Sequence, residues 1–413
     1  MNQLIKNKQY YKFSAYGFLK NLRFFDAFFI LFLVDSGISY TEIGILYAIR
    51  EMTINIFEIP SGIIADTYGR KYALISSLIV YILSFLILYS FSDFWYFLLA
   101  FILYGIADAF RSGTHKAMIM DYLKQNDWGD QKISYYGHTR SWSQKGSAIS
   151  SLIAGFLVYI SGQYESIFIY STVPYLINLL LIISYPPYLN HPIDKKSKSK
   201  LSVSIKSLSL TIKKPQVLQL INTSALHTAY LKAVKDYIQP LMLNIVLIIP
   251  LLPNTETEKK SGVFIGIIYF FIYLITSYAS KNASKAVDKM RRNIPFLSLL
   301  LGLFFGISCG VFYIYDKWIW AIIFFIGIYI IENIRKPILT GFIADQVPGE
   351  ILASVISVQS LLRTIITAII ALVFGFVADR FGIGVSFVLI SSVLFLSSIF
   401  LSNTKKDKSV SDL

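Results

Sequence analysis

The sequence predicts an all-α integral membrane protein, and three observations carry that reading. Apolar residues make up 55% of the 413-residue chain and charged residues only 15%, with a mean hydropathy of +0.59. A soluble domain has about a quarter of its residues charged. Apolar runs close to 20 residues recur down the whole chain, the length a helix needs to cross roughly 30 Å of hydrocarbon. Lys and Arg also gather in alternate connecting segments. The composition excludes an ordinary soluble enzyme, and the single cysteine, Cys309, excludes a disulfide framework or a Cys-cluster metal site. The histidines His115, His138, His191 and His227 lack zinc-site spacing, and there is no P-loop. No metal, cofactor or nucleotide is therefore expected. The formal charge of +14 is read as membrane topology and not as a nucleic-acid footprint.

Twelve spans follow in order, at approximately 13–34, 42–65, 72–92, 94–117, 138–160, 165–185, 217–249, 263–281, 294–315, 318–342, 352–377 and 383–402. The seventh is over-long, because its apolar run continues past Pro240 to Leu252. With a cytoplasmic N-terminus, the inner segments hold Lys6, Lys8, Lys12, Arg70 and Lys71. They also hold seven lysines between Lys195 and Lys214, five basic residues from Lys281 to Arg292, and the tail lysines Lys405, Lys406 and Lys408. The outer loops hold only Lys259, Lys260, Lys317 and Arg380. That asymmetry puts both termini in the cytoplasm of a multi-pass cell-membrane protein.

The longest polar stretch separates spans six and seven. It divides the chain into an N-terminal six-helix bundle (1–185), a basic cytoplasmic loop (186–215) and a C-terminal six-helix bundle with a short tail (216–413). A faint repeat supports two related halves: Gly155-Phe156 with Gly162 and Ser166 recurs 220 residues later as Gly375-Phe376 with Gly382 and Ser386. Repeated halves around a midplane site are a transporter architecture.

Ionisable residues inside the spans are the candidate functional groups. Span one carries Lys20, Arg23 and Asp26, span two Arg50, Glu51 and Glu58, span four Asp108 and Arg111, and span five Arg140 and Lys145. Span seven carries Lys232, Lys235 and Asp236, span ten Glu332, Arg335 and Lys336, and span eleven Arg363. At about 2.5–3.5 kcal/mol each on the lenient insertion scale, exposing all of them to lipid would cost roughly 40–60 kcal/mol. Most must therefore face protein or water. Their spacing agrees: Glu51, Asn55 and Glu58 share one face, as do Asp108, Arg111 and His115, and also Lys232, Asp236 and Gln239. Arg23 with Asp26 and Asp108 with Arg111 also fit structural ion pairs, and Arg140 and Lys145 fit snorkelling positions. The histidines fit hydrogen-bonded spectators. Basic groups outnumber acidic ones among these positions, which favours an anionic cargo.

Between spans two and three stands Gly62-Ile-Ile-Ala-Asp66-Thr-Tyr-Gly69-Arg70-Lys71. This GxxxDxxGRK loop resembles the signature loop of the major facilitator superfamily. The flanking Glu58-Ile-Pro-Ser-Gly62 is similar to prokaryotic members of that family. The resemblance implies a fold of two pseudo-symmetric six-helix halves and a conformational switch at Gly62, Asp66, Gly69, Arg70 and Lys71. Gly62 is expected to permit a close helix approach, Gly69 a tight turn, and Asp66 to cap span eleven near Leu352. Two family patterns are absent: the arginine of span four falls at Phe101, and no proline lies between Gly146 and Gly155.

The expectation is a secondary transporter that moves a small organic anion or anionic amphiphile by alternating access, with proton coupling. Arg23, Asp26, Glu51, Asn55, Asp108, Arg111, Lys232, Asp236, Glu332 and Arg335 are its substrate or coupling residues. A monomer in the lipid bilayer is expected, with no catalytic residues and no nucleic-acid partner. The alternatives are a multidrug exporter of lipophilic compounds and a non-transporting sensor on the same fold.

Overall fold

The computed structural model describes residues 5–128, 131–190, 215–248, 255–281, 294–347 and 349–410. Most of the basic loop between spans six and seven, and the basic segment after Lys281, lie outside the described residues. Among the described residues every regular element is a helix. The order is α1 (Lys8–Leu19), a 3₁₀ turn (Phe24–Ala27), α2 (Phe29–Asp35), α3 (Tyr40–Tyr68), α4 (Arg70–Ser90), α5 (Phe94–Arg111), α6 (Thr114–Gln125), α7 (Lys132–Ser161) and α8 (Ser166–Ile183). After a 3₁₀ turn at Pro187–Asn190 come α9 (Pro215–Val234), another 3₁₀ turn (Lys235–Tyr237), α10 (Ile238–Ile248), α11 (Thr257–Lys281) and α12 (Ile294–Ile314). Helices α13 (Trp318–Gln346), α14 (Gly349–Phe381) and α15 (Ile383–Val410) complete the chain.

Among the described residues, eight stretches are long and apolar enough to cross a membrane: Arg70–Ser90, Phe94–Gln125, Ser166–Ile183, Thr257–Ser280, Pro295–Ile314, Trp318–Lys336, Val355–Phe381 and Ile383–Phe400. The expected spans outside this set are one, two, five and seven. Spans one and seven are interrupted, and two and five are rich in charged or polar residues.

Helix α4 shows how such a helix is built. Leu74, Leu78, Tyr81, Phe85 and Leu88, at steps of three and four, form its buried face. Ser77 and Ser84 on that face donate to the Ala107 and Ala100 carbonyls of α5, at 2.7 and 2.8 Å. Ile79, Leu83 and Leu86 are exposed on the other side. An apolar outer face with hydrogen-bonded serines inside is the pattern lipid imposes.

The chain forms two compact units. The first comprises Met1–Ile38, Leu46–Ser197 and Val246–Leu274, and the second Ser39–Ile45, Lys198–Ile245 and Ile275–Leu413. In the first, Phe25, Phe29 and Phe168 form an aromatic core, with Phe29 stacked on Phe101 at 5.3 Å. In the second, Val217, Leu220, Ile221, Leu339, Ile343 and Val347 bury one another.

Three of the expected continuous spans are broken, each at its charged stretch. In span one, α1 ends as the Asn21 and Leu22 amides turn back three residues, to the Phe18 and Leu19 carbonyls. The Asn21 side chain takes the Gly17 carbonyl at 2.7 Å. This local capping ends the helix without any proline or glycine at the break. In span seven, Pro240 has no N–H for the Asp236 carbonyl, and its ring crowds that carbonyl. The backbone responds with the 3₁₀ turn at Lys235–Tyr237. Span four is interrupted too: after Arg111 the chain turns at Gly113, whose φ is +73°, before α6.

Candidate functional site

The first unit carries its charged side chains on α3, on α5 and at the break after α1. Asp108 on α5 pairs with Arg111 one turn later, and Tyr81 on α4 donates to the same carboxylate. The Arg111 Nε donates to the Tyr81 hydroxyl at 3.0 Å, closing a three-residue network. On α3, Arg50 pairs with its neighbour Glu51 at 3.3 Å and lies over the Tyr47 ring at 4.6 Å. Glu51 is fully buried, and Asn55 and Glu58 on the same face are half-buried. The Asn55 Oδ1 is a buried acceptor with no partner among the described residues. Two carboxylates here are thus already assigned to arginines, as the structural-pair reading of Asp108 and Arg111 anticipated.

Arg23 is different, because it projects from the broken segment and not from a helix face. Its guanidinium lies 6.0 Å from the Tyr104 ring and interacts electrostatically with Tyr175 and Asp26, while its Nε has no partner among the described residues. Beside it opens a small cleft lined by Asn21, Arg23, Asp26, Ala27, Ser147, Ser150, Ser151 and Tyr273. The Ser150 hydroxyl is buried there and also unpartnered. The sequence signal for these serines was only a polar face on span five, which is indistinguishable from ordinary helix packing. Lys20 is half-buried above Tyr16, and His115 stacks on that same ring at 3.8 Å. Arg140 and Lys145 are exposed.

The second unit holds a separate cluster. The His227 Nδ1 on α9 meets a Glu332 carboxylate oxygen at 2.7 Å, and the Thr228 hydroxyl donates to the other oxygen at 2.6 Å. His227 fits because α12 has Gly302 at the contact, where any Cβ would collide with the imidazole. Arg335, only 1% exposed, donates to the Pro295 carbonyl (2.8 Å), the Ser298 hydroxyl (2.6 Å) and the Thr223 carbonyl (3.0 Å). It ties α9 and α12 to α13, so most of its donors are already engaged. Lys232 and Asp236 sit at the break in span seven, where Lys235 pairs with the buried Asp236 at 3.2 Å. Gln359 of α14 donates to the Ser224 hydroxyl at 2.6 Å.

The GxxxDxxGRK turn departs from its expected construction in two places. Gly62 has open space where a Cβ would stand, so among the described residues no helix approaches it closely. Lys71 is a helix cap: its ammonium donates to the Ile183 and Tyr185 carbonyls, both at 2.8 Å. Lys12 reinforces the same end through the Ser184 carbonyl at 2.6 Å. The two cations thus complement the C-terminal end of the α8 dipole. Partial desolvation and the neighbouring Lys8 and Lys71 hold the Lys12 pKa below its usual value. Asp66 is half-exposed and lies 3.8 Å from Arg70, which also pairs with Asp121 at the end of span four. The side chains at the start of α14 near Leu352, expected to receive Asp66, lie outside the described residues. Gly69 behaves as anticipated. Its φ is +104°, and Asn190 fills the space where a side chain would go, accepting from the Lys71 amide at 3.0 Å.

A family model described as Major Facilitator Superfamily matches residues 18–369. The chain belongs to the major facilitator superfamily. An uncharacterized transporter of that type, YxaM of Bacillus subtilis (strain 168), is 23% identical over 420 residues, covering 97% of this chain and 96% of its own. MJ1317 of Methanocaldococcus jannaschii, also an uncharacterized transporter of the type, is 34% identical over 154 residues, 37% of each chain. Among solved structures, the nucleoside transporter NupG superposes with a TM-score of 0.72 at 13% identity, covering 96% of this chain and 99% of that one. A D-xylose–proton symporter superposes at 0.68 and 13% identity, over 95% and 96% of the two chains. At such identities these likenesses establish the fold alone. Membership makes membrane transport the function class and the protein a multi-pass membrane protein.

Two stability measurements check the construction. Gly69→Ala forces a Cβ at a strained φ into Asn190, so thermal unfolding of the detergent-purified protein should show a loss of about 1–3 kcal/mol. Arg335→Ala strands two carbonyls and a hydroxyl, and should cost about 3 kcal/mol or more by the same assay. Arg140→Ala, at an exposed position, should stay within about 0.5 kcal/mol.

Proposed function

We propose that this protein is a secondary transporter of a small organic anion or anionic amphiphile, working by alternating access and coupled to protons. The observation that carries the anionic reading is Arg23. Asp108 and Glu51 are paired with Arg111 and Arg50, whereas Arg23, which feels the charges of both Asp26 and Asp108, lies beside aromatic rings and keeps an unpartnered Nε beside a polar cleft. A guanidinium in that setting is suited to a carboxylate or phosphate, which it binds through two parallel N–H donors. The Ser150 hydroxyl, buried and without a partner among the described residues, is available for a further oxygen.

The same reasoning assigns coupling to Glu332 and His227. A carboxylate and an imidazole 2.7 Å apart in a buried site share one proton well. Losing that proton changes the charge of the pair next to Arg335. Helix breaks at corresponding positions of the two halves, in spans one and seven, support placing substrate contacts there. In this reading both termini face the cytoplasm, because the inner segments hold most of the Lys and Arg residues.

The reading is tested on full-length protein by thermal shift, with benzoate, citrate and inorganic phosphate as anionic probes and tetraphenylphosphonium as the cationic one. At least one anion should stabilise the wild type, and Arg23→Gln should remove that stabilisation while Arg140→Gln keeps it. Stabilisation by the cation alone, unaffected by Arg23→Gln, contradicts the anionic assignment. For the anion so identified, Glu332→Gln should abolish uptake driven by a proton gradient in proteoliposomes. Exchange of labelled for unlabelled anion, which needs no net proton movement, should continue. Loss of both activities argues against a coupling role.

A further inference from the structure

The first turn of α3 is held in a way that neither the signature loop nor the charged clusters account for. Its Tyr40 and Thr41 amides, which have no partners within the helix, donate to the two carboxylate oxygens of Asp379 on α14, at 2.8 and 2.7 Å. The Ser39 hydroxyl and Glu42 carboxylate form a reciprocal capping box on the same turn, with the Ser39 amide donating to Glu42 at 2.9 Å. Just inside, α3 and α14 touch backbone to backbone. A Cβ on Gly44 would lie 2.6 Å from the Ala371 carbonyl oxygen, and one on Gly375 would strike the Tyr40 carbonyl. Residues 39–45, Asp379 and Gly375 all belong to the second unit, whereas the rest of α3 belongs to the first.

The repeat in the sequence provides an internal control. Gly155 is the counterpart of Gly375, and it makes an equally close crossing, with a Cβ on Gly266 falling 2.9 Å from the Gly155 Cα. The position corresponding to Asp379 is Tyr159. That second crossing, within the first unit, closes with no carboxylate at the matching position, so the glycine contact does not itself require Asp379. The carboxylate adds a charge-assisted hold on a helix N-terminus that the helix dipole favours, and such a hold is discrete, either made or released.

We propose that Asp379 is a clasp, closed here, that must release the first turn of α3 during the transport cycle. It acts at the end of α3 opposite the Asp66–Arg70 turn. Tyr40 and Asp66 stand about 39 Å apart on one 29-residue helix, at 1.5 Å per residue. Release at one end is coupled through this helix to the arrangement at the other. The proposal rests on family membership and is independent of the cargo.

Hydrogen–deuterium exchange on full-length protein in nanodiscs tests it without a substrate. Asp379→Ala should speed exchange in peptides covering residues 39–45 by at least about tenfold, and should also shift exchange across residues 62–71. Glu42→Gln, which damages only the capping box, should change the first region and leave the second alone. Asp379→Asn keeps one acceptor and should give smaller shifts of the same kind, which covers the case of a poorly folding alanine variant. Tethering Thr41→Cys to Arg380→Cys with a short bis-maleimide should return residues 62–71 to wild-type exchange even with Asp379→Ala; Cys309 is buried and does not compete. A response confined to residues 39–45 in both Asp379 variants, like that of Glu42→Gln, reduces Asp379 to a local cap and overturns the proposal.

Discussion

An ionised side chain inside an apolar helix must be met by a partner, and much of this structure follows from that requirement. Asp108, Arg111 and Tyr81 satisfy one another across α4 and α5. Glu332 is met by His227 and Thr228, and Arg335 by two carbonyls and a hydroxyl. Each group fixes the relative register of two or more helices, because any slip would strand a charge or a donor at several kcal/mol. Polar groups that would be liabilities in lipid thereby become the elements that specify packing within each unit.

The same requirement explains where helices break. A regular helix satisfies its own backbone and presents side chains only sideways. At Lys20–Arg23 and Lys235–Tyr237 the backbone leaves that geometry, which turns side chains and peptide groups toward each other in ways a helix forbids. Both breaks coincide with charged residues, and the first opens onto the polar cleft beside Arg23. The signature turn follows a related logic at a helix end. Gly69 provides the backbone freedom, Asn190 fills the gap, and Lys71 and Lys12 cap α8. Part of that sequence motif is thus devoted to building the first unit, which leaves Asp66, Arg70 and Asp121 as its exposed charged network.

Composition and periodicity made the helical membrane class legible, since apolar runs and positive charge in alternate loops are local properties of the chain. The charged stripes were legible for the same reason, and so was the pairing of Asp108 with Arg111, one turn apart. Features that depend on distant residues were not. The break in span one arises from an asparagine bonding back one turn, a pattern that many unbroken helices also contain. The unpartnered Ser150 hydroxyl gains meaning only beside Arg23, and Asp379 reads as an ordinary polar residue before a loop until its oxygens are found on the Tyr40 and Thr41 amides. Gly62 shows the opposite case: its place in the motif implied a close contact, and among the described residues nothing stands where its Cβ would be. A spacing pattern records what residues a turn requires, but not what lies opposite each of them.

The most direct test of the central claim, that Arg23 at the break of span one receives the cargo's negative charge, is an anomalous-scattering map of crystals soaked in 4-bromobenzoate. The account predicts a bromine peak in the first unit within reach of a carboxylate held by the Arg23 guanidinium, with Ser150 as a second contact. A peak at another basic group, with the Arg23 Nε still unpartnered and its cleft unchanged, would contradict it.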